Sequence, residues 1–318
     1  MLKTILFVTV LMTATGAGAQ NWPTRPIQLV VPYAPGGVVD FIGRTLGQRL
    51  SQQVGQPVVI DNRPGAGGMV GIEYTARAAA DGHTLVIMDP AIVINPVLQE
   101  KPLYELKDLA TLSVVGSSPL VLVVHPSVPV KAVAQLVQYA RANPGKLNFG
   151  SAGIGTTPHM AGELLKVRTG LDATHVPYKG AGPAMADLAA GQLQFSFSSI
   201  TAALPFIKDG RLRALATSGS RRSNALPEVP TVIEAGYPGF EVDLWLGIFA
   251  PASVPAQTVA RLNSELRTAL RDPAVAAAFA KVGVEPRGTT VEEGARFVRE
   301  ETDKWAKVVA GANLKAAR

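Results

Sequence analysis

The sequence predicts an α/β protein of two lobes, each built on a doubly wound, mostly parallel sheet. Two stretches carry this prediction, QLVVPYAPGGVVD at 28–40 and LNFGSAGIGTTPHMAGELL at 147–165. Each runs from an apolar segment through a glycine-rich turn into a helical apolar period, the pattern of a strand, a turn and a helix N-terminus. Because they lie far apart in the chain, we expect two lobes that present helix N-termini to one shared ligand.

Length and composition narrow the class of protein further. The chain has 318 residues, 47% of them hydrophobic, which suits one large or two ordinary α/β domains. It has no cysteine, so disulfides, thiolate catalysis and cysteine zinc sites are excluded. The formal net charge of +6 comes from scattered basic residues, which indicates a solvated surface and no nucleic-acid partner. We expect neither a cofactor nor a metal.

Residues 1–19 have the pattern of a cleaved secretion signal. Lys3 is the charged start, Ile5 to Met12 is a short apolar core, and Ala17-Gly18-Ala19 is a small-residue cleavage site. The apolar core is far shorter than the ~20 residues that a membrane-spanning helix needs. We therefore expect an exported protein, located in the periplasm, whose mature chain begins at Gln20 and does not itself span the membrane.

The segment after the signal alternates between strands and helices. We predict strands at 27–31, 57–60 and 84–88, with a helix after each of the first two. The first strand is a nearly continuous apolar run, as expected for a strand buried on both faces. Val38, Ile42 and Leu46 then fall on one helical face. This β-α-β-α-β order predicts a parallel, right-handed, doubly wound sheet.

A second alternation of strands and helices predicts the second lobe. We predict its strands at 120–124, 147–150, 173–176, 193–198 and 212–217, with helices between them. A further strand at 244–250 returns to the first lobe, and three helices close the chain. Lobe 1 therefore comprises 20–120 and 240–318, and lobe 2 comprises 121–239. Two crossings between lobes make a hinge, and a hinge between lobes makes a cleft that closes on a small ligand.

The two glycine-rich turns are the candidate ligand site. Open α/β sheets bind ligands at the carboxyl ends of their strands, where both turns lie. Gly36 and Gly37 allow a close backbone approach, and the second turn adds the hydroxyls of Ser151, Thr156 and Thr157. Helix N-termini attract anions without a basic side chain, so the pair predicts a carboxylate site. Taken singly, each turn is equally well an ordinary βα connection.

Two acids and several aromatic residues have two interpretations each. Asp40 either interacts with the helix dipole or accepts a hydrogen bond from the ligand. Asp89, after the third strand, either forms a turn or accepts from the ligand. Aromatic residues at strand ends either belong to the core or line an apolar slot. These are Tyr33, Phe149, Tyr178, Phe197 and Trp245.

No catalytic constellation is complete. Gly150-Ser151-Ala152-Gly153 is one residue short of a G-x-S-x-G nucleophile elbow, so a secreted serine hydrolase that uses Ser151 is the alternative from another class. The four histidines are dispersed, and we take His175 and two others as structural. His159 is the one that could face the cleft.

Six motifs in this order resemble the tripartite tricarboxylate transporter solute-receptor family, also called the Bug family. They are PYAPGGVVD, VIDNRPGAGG, NFGSAGIGTTPHMAGEL, HVPYKGAGPAMADLAAGQLQFSF, LPFIKDGRLRALATS and LPEVPTVIEAGYPGFE. The resemblance implies a two-lobed periplasmic binding protein of type II fold, which captures a small organic carboxylate and hands it to a two-component membrane permease. The candidate ligand-binding residues are then Tyr33, Ala34, Pro35, Gly36, Gly37, Asp40, Asp89, Phe149, Ser151, Gly155, Thr156, Thr157, Tyr178, Ser198 and Trp245.

Two departures from the family pattern concern the ligand. Ser198-Ser199 stands where an Asp or Asn often occurs, and Met88-Asp89-Pro90 stands where small hydroxyl residues and glycine are usual. The chemical group at the ligand's far end therefore stays undetermined, and it is a second carboxylate, an amine or an aromatic ring. We expect a monomer. A ligand-sensing receptor without transport is a further alternative, whereas a regulator's effector domain would need a DNA-binding motif where the signal stands.

Overall fold

The computed structural model describes residues 22–311 and residue 314. Its strands are β1 (Ile27–Val31), β2 (Val58–Asn62), β3 (Thr84–Met88), β4 (Leu109–Val124), β5 (Asn148–Ser151), β6 (Thr174–Pro177), β7 (Phe195–Ser199), β8 (Arg213–Thr217), β9 (Asp243–Pro251) and β10 (Glu285–Pro286). Its helices are α1 (Val38–Val54), α2 (Met69–Ala76), α3 (Ala91–Leu98), α4 (Val133–Ala142), α5 (Thr157–Thr169), α6 (Ala181–Ala189), α7 (Ile200–Lys208), α8 (Ala256–Leu270), α9 (Pro273–Lys281) and α10 (Val291–Gly311). The signal predicted at 1–19 lies outside the described residues.

The sheet of lobe 1 begins with the predicted parallel unit. Strand β1 pairs in parallel with β2 on one side and with β3 on the other, which confirms the β-α-β-α-β prediction. Strand β9 continues the sheet antiparallel to β3, and β4 lies antiparallel to β9. The apolar run of β3 is buried along its whole length, because helices cover both faces of the sheet.

The sheet of lobe 2 likewise contains both parallel and antiparallel strand pairs. Strand β5 pairs in parallel with β6 and β7, whereas β4 pairs antiparallel with β7 and β8. Each sheet therefore contains three mutually parallel strands, which are β1, β2 and β3 in lobe 1 and β5, β6 and β7 in lobe 2. Every antiparallel pair among these strands includes β4 or β9, and β4 runs through both sheets.

Strand β4 is longer than the sequence predicts. Its residues 109–119 pair with β9 in lobe 1, and its residues 120–124 pair with β7 and β8 in lobe 2. The sequence analysis predicted only 120–124, because the first part contains Ser117, Ser118 and Pro119 and has no continuous apolar run. The change of partner falls between Pro119 and Leu120, and the limits of the lobes themselves stay a prediction.

Helices α3 and α7 were not predicted. Each contains a proline, Pro96 and Pro205 respectively, which normally argues against a helix interior. Helix α3 is also apolar on nearly every side and is buried, so it shows no polar face by which an amphipathic helix is recognised. It packs against α10 and its side chains belong to a large buried cluster, so tertiary packing stabilises it.

Strand directions bring four strand ends to one boundary. Strand β3 runs with β4 toward lobe 2, since both are antiparallel to β9, and β1 is parallel to β3. Strands β5 and β7 run the opposite way, toward lobe 1. The turns after β1, β3, β5 and β7 therefore all face the junction between lobes, as ligand sites in open α/β sheets do.

The core continues from lobe 1 into lobe 2 on one face of the sheets. One cluster of buried side chains joins residues of α3 and α10 to residues of α5 and β7. Trp305 of α10 and Phe149 of β5 are both fully buried in it. Within residues 22–311, no helix has the length and apolar character needed to cross a membrane.

Candidate functional site

The turn after β1 presents an uncapped helix N-terminus. Its residues 34–37 are exposed, and Gly36 has a φ of 96°, a conformation that suits glycine. Gly37 is the N-cap of α1, and no side chain caps the helix. The first N–H groups of an α-helix have no partner within the helix, so this end is suited to an anion.

Asp40 ties this turn to its neighbours. Its Oδ2 accepts hydrogen bonds from the Gly36 N–H at 3.0 Å and from Arg44 Nε at 3.0 Å. Its Oδ1 accepts from Asn62 Nδ2 at 2.9 Å. Burial raises the pKa of Asp40, but the hydrogen bonds from Arg44, Gly36 and Asn62 outweigh burial and hold the pKa below its ordinary value. With these donors in place Asp40 shapes the turn, and its contact with a ligand stays a prediction.

Arg44 and Asn62 are residues that the sequence analysis missed. Arg44 also donates to Asn62 Oδ1 at 2.9 Å, and Asn62 Nδ2 donates to the carbonyl oxygen of Tyr33 at 3.0 Å. The spacing of four between Asp40 and Arg44 was the available signal for one of these contacts. The contact with Asn62 joins residues far apart in sequence and left no local signal.

The turn after β3 places Asp89 against Tyr33. Tyr33 Oη donates to Asp89 Oδ2 at 3.0 Å, and the Ala91 N–H donates to Asp89 Oδ1 at 2.9 Å. Burial raises the pKa of Asp89 to about 6, although the hydrogen bonds from Ala91 and Tyr33 act in the opposite direction. Two candidates that the sequence placed on different elements are therefore in direct contact.

The turn after β5 presents the second uncapped helix N-terminus. Thr156 is the N-cap of α5, but its Oγ1 donates to the carbonyl oxygen of Gly153 at 2.7 Å and caps no N–H. Thr157 Oγ1 and Ser198 Oγ are buried, and among the residues that the structure describes they have no hydrogen-bond partner. A buried polar group without a partner is costly, so both hydroxyls are available to a ligand.

Two histidines support this turn from behind. His175 Nε2 lies 2.7 Å from Ser151 Oγ, and the Gly155 N–H donates to His159 Nδ1 at 3.2 Å. The two imidazole rings stack with their centroids 4.0 Å apart. Burial lowers the pKa of His159 to about 4, helped by the charge of Lys166, and burial lowers the pKa of His175 to about 3. Both rings are therefore neutral at physiological pH.

Ser151 is not exposed as a nucleophile would be. Its side chain is buried, and its hydroxyl also contacts both the N–H and the carbonyl oxygen of Gly153, at 3.1 and 3.0 Å. Its neighbour His175 is a weak base, because its pKa is about 3. The geometry is that of a serine that holds its own turn in shape.

Three aromatic candidates have partners within the protein itself. The structure places the Phe149 side chain in the core, where it stacks against Phe195 at 5.4 Å between centroids. Trp245 is fully buried, and its Nε1 donates to Glu301 at 2.9 Å. Tyr178 donates from its hydroxyl to Asp187 at 2.7 Å. Apolar burial and these hydrogen bonds account for all three, and their contact with a ligand stays a prediction.

The two lobes touch beside the second turn. Asn95 of α3 is buried, and its Nδ2 donates to the carbonyl oxygen of Gly67 at 3.1 Å. A methyl group added to Gly155 of lobe 2 would lie only 2.5 Å from Asn95 Oδ1. The sequence analysis missed Asn95, although a lone polar residue in the apolar run AIVINPVL was a usable signal.

A separate cavity of about 690 Å³ lies along β4, β9, β10 and α10. Trp245 lines it, but none of the turns described above does. Among its charged side chains, Arg221 pairs with Glu285, and Lys304 pairs with Glu301. The uncapped helix ends and the unpartnered hydroxyls lie at the turns and not at this cavity, so the turns remain the candidate ligand site.

The fold and the facing turns define a two-lobed periplasmic binding protein, and solved structures of that class match it. The structure of Rpa4515 from Rhodopseudomonas palustris with adipate is 36% identical and has a TM-score of 0.85, covering 92% of this chain and 98% of that one. MatC from the same organism, with bound malate, is 32% identical with a TM-score of 0.81, covering 91% and 100%.

Sequence comparison gives the family. The model for the tripartite tricarboxylate transporter family receptor matches residues 42–314. The protein BugT of Bordetella pertussis is 38% identical over 315 residues, covering 98% of this chain and 97% of that protein. The chain belongs to the tripartite tricarboxylate transporter receptor family, which confirms the resemblance seen in the sequence motifs.

Proposed function

We propose that this protein is a periplasmic receptor that captures a small organic carboxylate between its lobes. One observation carries the proposal. The uncapped N-termini of α1 and α5 come from opposite lobes and lie at turns that face the same junction. Each supplies N–H donors and the positive end of a helix dipole, which together bind a carboxylate without a basic side chain.

Two further features support a carboxylate as the ligand. The buried hydroxyls of Thr157 and Ser198 have no partner among the described residues, and a bound anion would satisfy them. The relatives solved with adipate and with malate hold small organic acids. Both acids carry the group that two helix ends would accept.

Membership of the family supports a proposal for the compartment and the partner. Its receptors serve a tripartite transporter, so we propose that this chain delivers its solute to a two-component membrane permease. Export by the signal at 1–19 would place it in the periplasm. Release of the protein by osmotic shock from cells that express the full sequence, and its retention after deletion of 1–19, would test this location.

A hydrolase is the second candidate, because Ser151 Oγ lies 2.7 Å from His175 Nε2. The buried serine and the low pKa of His175 weigh against it. We therefore propose a receptor without catalysis. Hydrolysis of an activated ester that is lost in Ser151→Ala would instead support the hydrolase.

A thermal-shift and calorimetric screen against small organic acids tests the receptor function. A carboxylate at 100 times its Kd should stabilise the protein by about 2.7 kcal/mol. Thr157→Val and Ser198→Ala should each weaken binding roughly fivefold, the value of one hydrogen bond. Thr268→Val, an exposed position on α8, serves as the control. If no acid binds, or if neither variant alters affinity, the proposed site is wrong.

A further inference from the structure

Asp89 is a buried carboxyl without a cation. Its side chain belongs to a residue that is only 6% exposed, at the end of β3 that faces lobe 2. In the part of the chain that the structure describes, no ion pair includes it. Each of its oxygens accepts one neutral hydrogen bond, from Tyr33 or from Ala91. A carboxylate oxygen has two lone pairs, so both oxygens can accept another donor.

Asp40 differs from Asp89 in charge compensation. Arg44 forms an ion pair with Asp40 at 3.0 Å, so the negative charge beside the first turn is offset. The charge of Asp89 is not offset, and Tyr33 connects it to that same turn. An anion held at the turns therefore has one uncompensated negative group beside it, at a buried position where screening is weak.

We infer that Asp89 makes this receptor selective for a carboxylate whose far end carries a hydrogen-bond donor, an ammonium or a hydroxyl, and not a second carboxylate. The inference rests on the proposed function, because it assigns the group that lies beyond the carboxylate held by the helix ends. A donor would use the free lone pairs of Asp89, and an ammonium would also compensate its charge. A second carboxylate would repel Asp89 and leave both groups without a cation.

Proton uptake by Asp89 would remove the negative charge that opposes a dicarboxylate. The titratable groups beside Asp89 in the described residues are the hydroxyls of Tyr33 and Tyr104, whose pKa values are raised by burial. Both stay neutral, so Asp89 carries the charge that changes. Binding of a dicarboxylate should then strengthen as the pH falls through about 6, whereas binding of an acid with an ammonium end should weaken.

The test is calorimetry with acids of matched length. For chains of three to six carbons, each monocarboxylic acid is compared with the acids of that length that end in a hydroxyl, an ammonium or a second carboxylate. For the wild type at neutral pH, the donor-ended acid should bind about tenfold or more tightly than the dicarboxylate, since a hydrogen bond to a charged group has this value. Asp89→Asn should reduce that ratio by about tenfold.

Glu100→Gln is the matched control, because it removes one negative charge from an exposed position after α3. It should leave the preference unchanged. A wild type that prefers the dicarboxylate at neutral pH, or an unchanged preference in Asp89→Asn, would overturn this inference and leave the receptor function intact. If no acid of any series binds, the proposed function fails first and this inference fails with it.

Discussion

The fold opposes the ionisation of His159 and His175, because burial lowers the pKa of both rings. The N–H of Gly155 donates to His159 Nδ1, so this nitrogen accepts and carries no proton. Protonation would place two donors against each other and would break the contact that holds the turn. His175 stacks on His159, so a charge on either ring disfavours a charge on the other. The turn after β5 therefore keeps its shape only while both rings are neutral.

Stability should fall in acid because of this pair. An unfolded histidine has a pKa near 6.5, whereas the folded values are about 4 and about 3. Below pH 6.5 the unfolded chain binds protons that the folded chain does not, so the free energy of unfolding decreases as the pH falls. The loss is at most about 1.4 kcal/mol per pH unit for each histidine. Urea unfolding between pH 7.5 and 4.5 measures it.

Two neutral replacements isolate the effect of these histidines from that of other groups. His159→Asn keeps an acceptor for the Gly155 N–H, and His175→Gln keeps a polar partner for Ser151. The wild type should lose stability in acid faster than the double variant. The unfolding free energy of the wild type minus that of the double variant should therefore decrease, or change sign, as the pH falls. A difference that is constant with pH would mean that the two rings do not carry the acid sensitivity.

Asp40 should contribute to stability as well as to binding. Asp40→Ala leaves the Gly36 N–H, Arg44 and Asn62 without their common acceptor. Because hydrogen bonds to a buried carboxylate are the strong ones, we expect a loss of about 2 kcal/mol by urea unfolding and weaker carboxylate binding. Lys107→Ala breaks an ion pair at an exposed position and should change neither quantity. Equal effects of the two variants would contradict the role assigned to Asp40.

At the scale of elements, the N-terminal turn of α5 is held from two sides. Within lobe 2, His159 in this turn accepts a hydrogen bond from the Gly155 N–H just before it, and Asn95 of α3 in lobe 1 lies against Gly155 across the junction. Gly155 takes a φ of 76°, and Asn95 Oδ1 occupies the space where its Cβ would lie. The lack of a side chain at Gly155 therefore lets two elements from different lobes approach each other.

Gly155→Ala should cost more than its backbone conformation explains. The left-handed φ alone costs about 1–2 kcal/mol for alanine, and the clash with Asn95 adds to that cost. Gly145→Ala is the matched control, since Gly145 has a φ of 70° and nothing within 4 Å of its Cβ position. The double variant Gly155→Ala with Asn95→Ala should recover the excess in a thermodynamic cycle. Additive effects would show that the two residues do not meet in solution.

At the scale of the whole molecule, β4 runs through both lobes, and Asn95 of lobe 1 lies against Gly155 of lobe 2. Asn95→Ala removes the side chain that lies against Gly155 of lobe 2, together with its hydrogen bond to Gly67 within lobe 1. We expect apparent carboxylate affinity to fall about fivefold, and the decrease in radius of gyration on adding ligand, measured by X-ray scattering, to become smaller.

An exposed contact provides the comparison for this prediction. Arg221 pairs with Glu285 near the hinge, but their side chains are 77% and 47% exposed. Arg221→Ala should therefore leave affinity and scattering unchanged, because exposed ion pairs contribute little. If Arg221→Ala weakens binding as much as Asn95→Ala does, the buried contact is not the one that favours closure.

The sequence alone determined most of the elements and both glycine-rich turns. Strands β1, β3 and β9 and the three closing helices follow from apolar periodicity, which reports the burial of nearby residues. Glycine-rich turns before helices are likewise local, so the stretches around Gly36 and Gly155 were recognisable. Helix α3 and the first part of β4 were not, because their burial comes from distant elements and leaves no polar face or apolar run.

Only the tertiary structure decided which residues meet at those turns. Tyr33 contacts Asp89, Ser151 contacts His175, and Asn95 lies against Gly155, and each pair joins separate segments. Local sequence reports which face of an element is apolar, but not which distant side chain completes a hydrogen bond. Which distant side chains meet depends on strand order and on how closely the lobes approach each other. Asp89, which has no cation beside it, could therefore be distinguished from Asp40, whose charge Arg44 compensates, only from the three-dimensional structure.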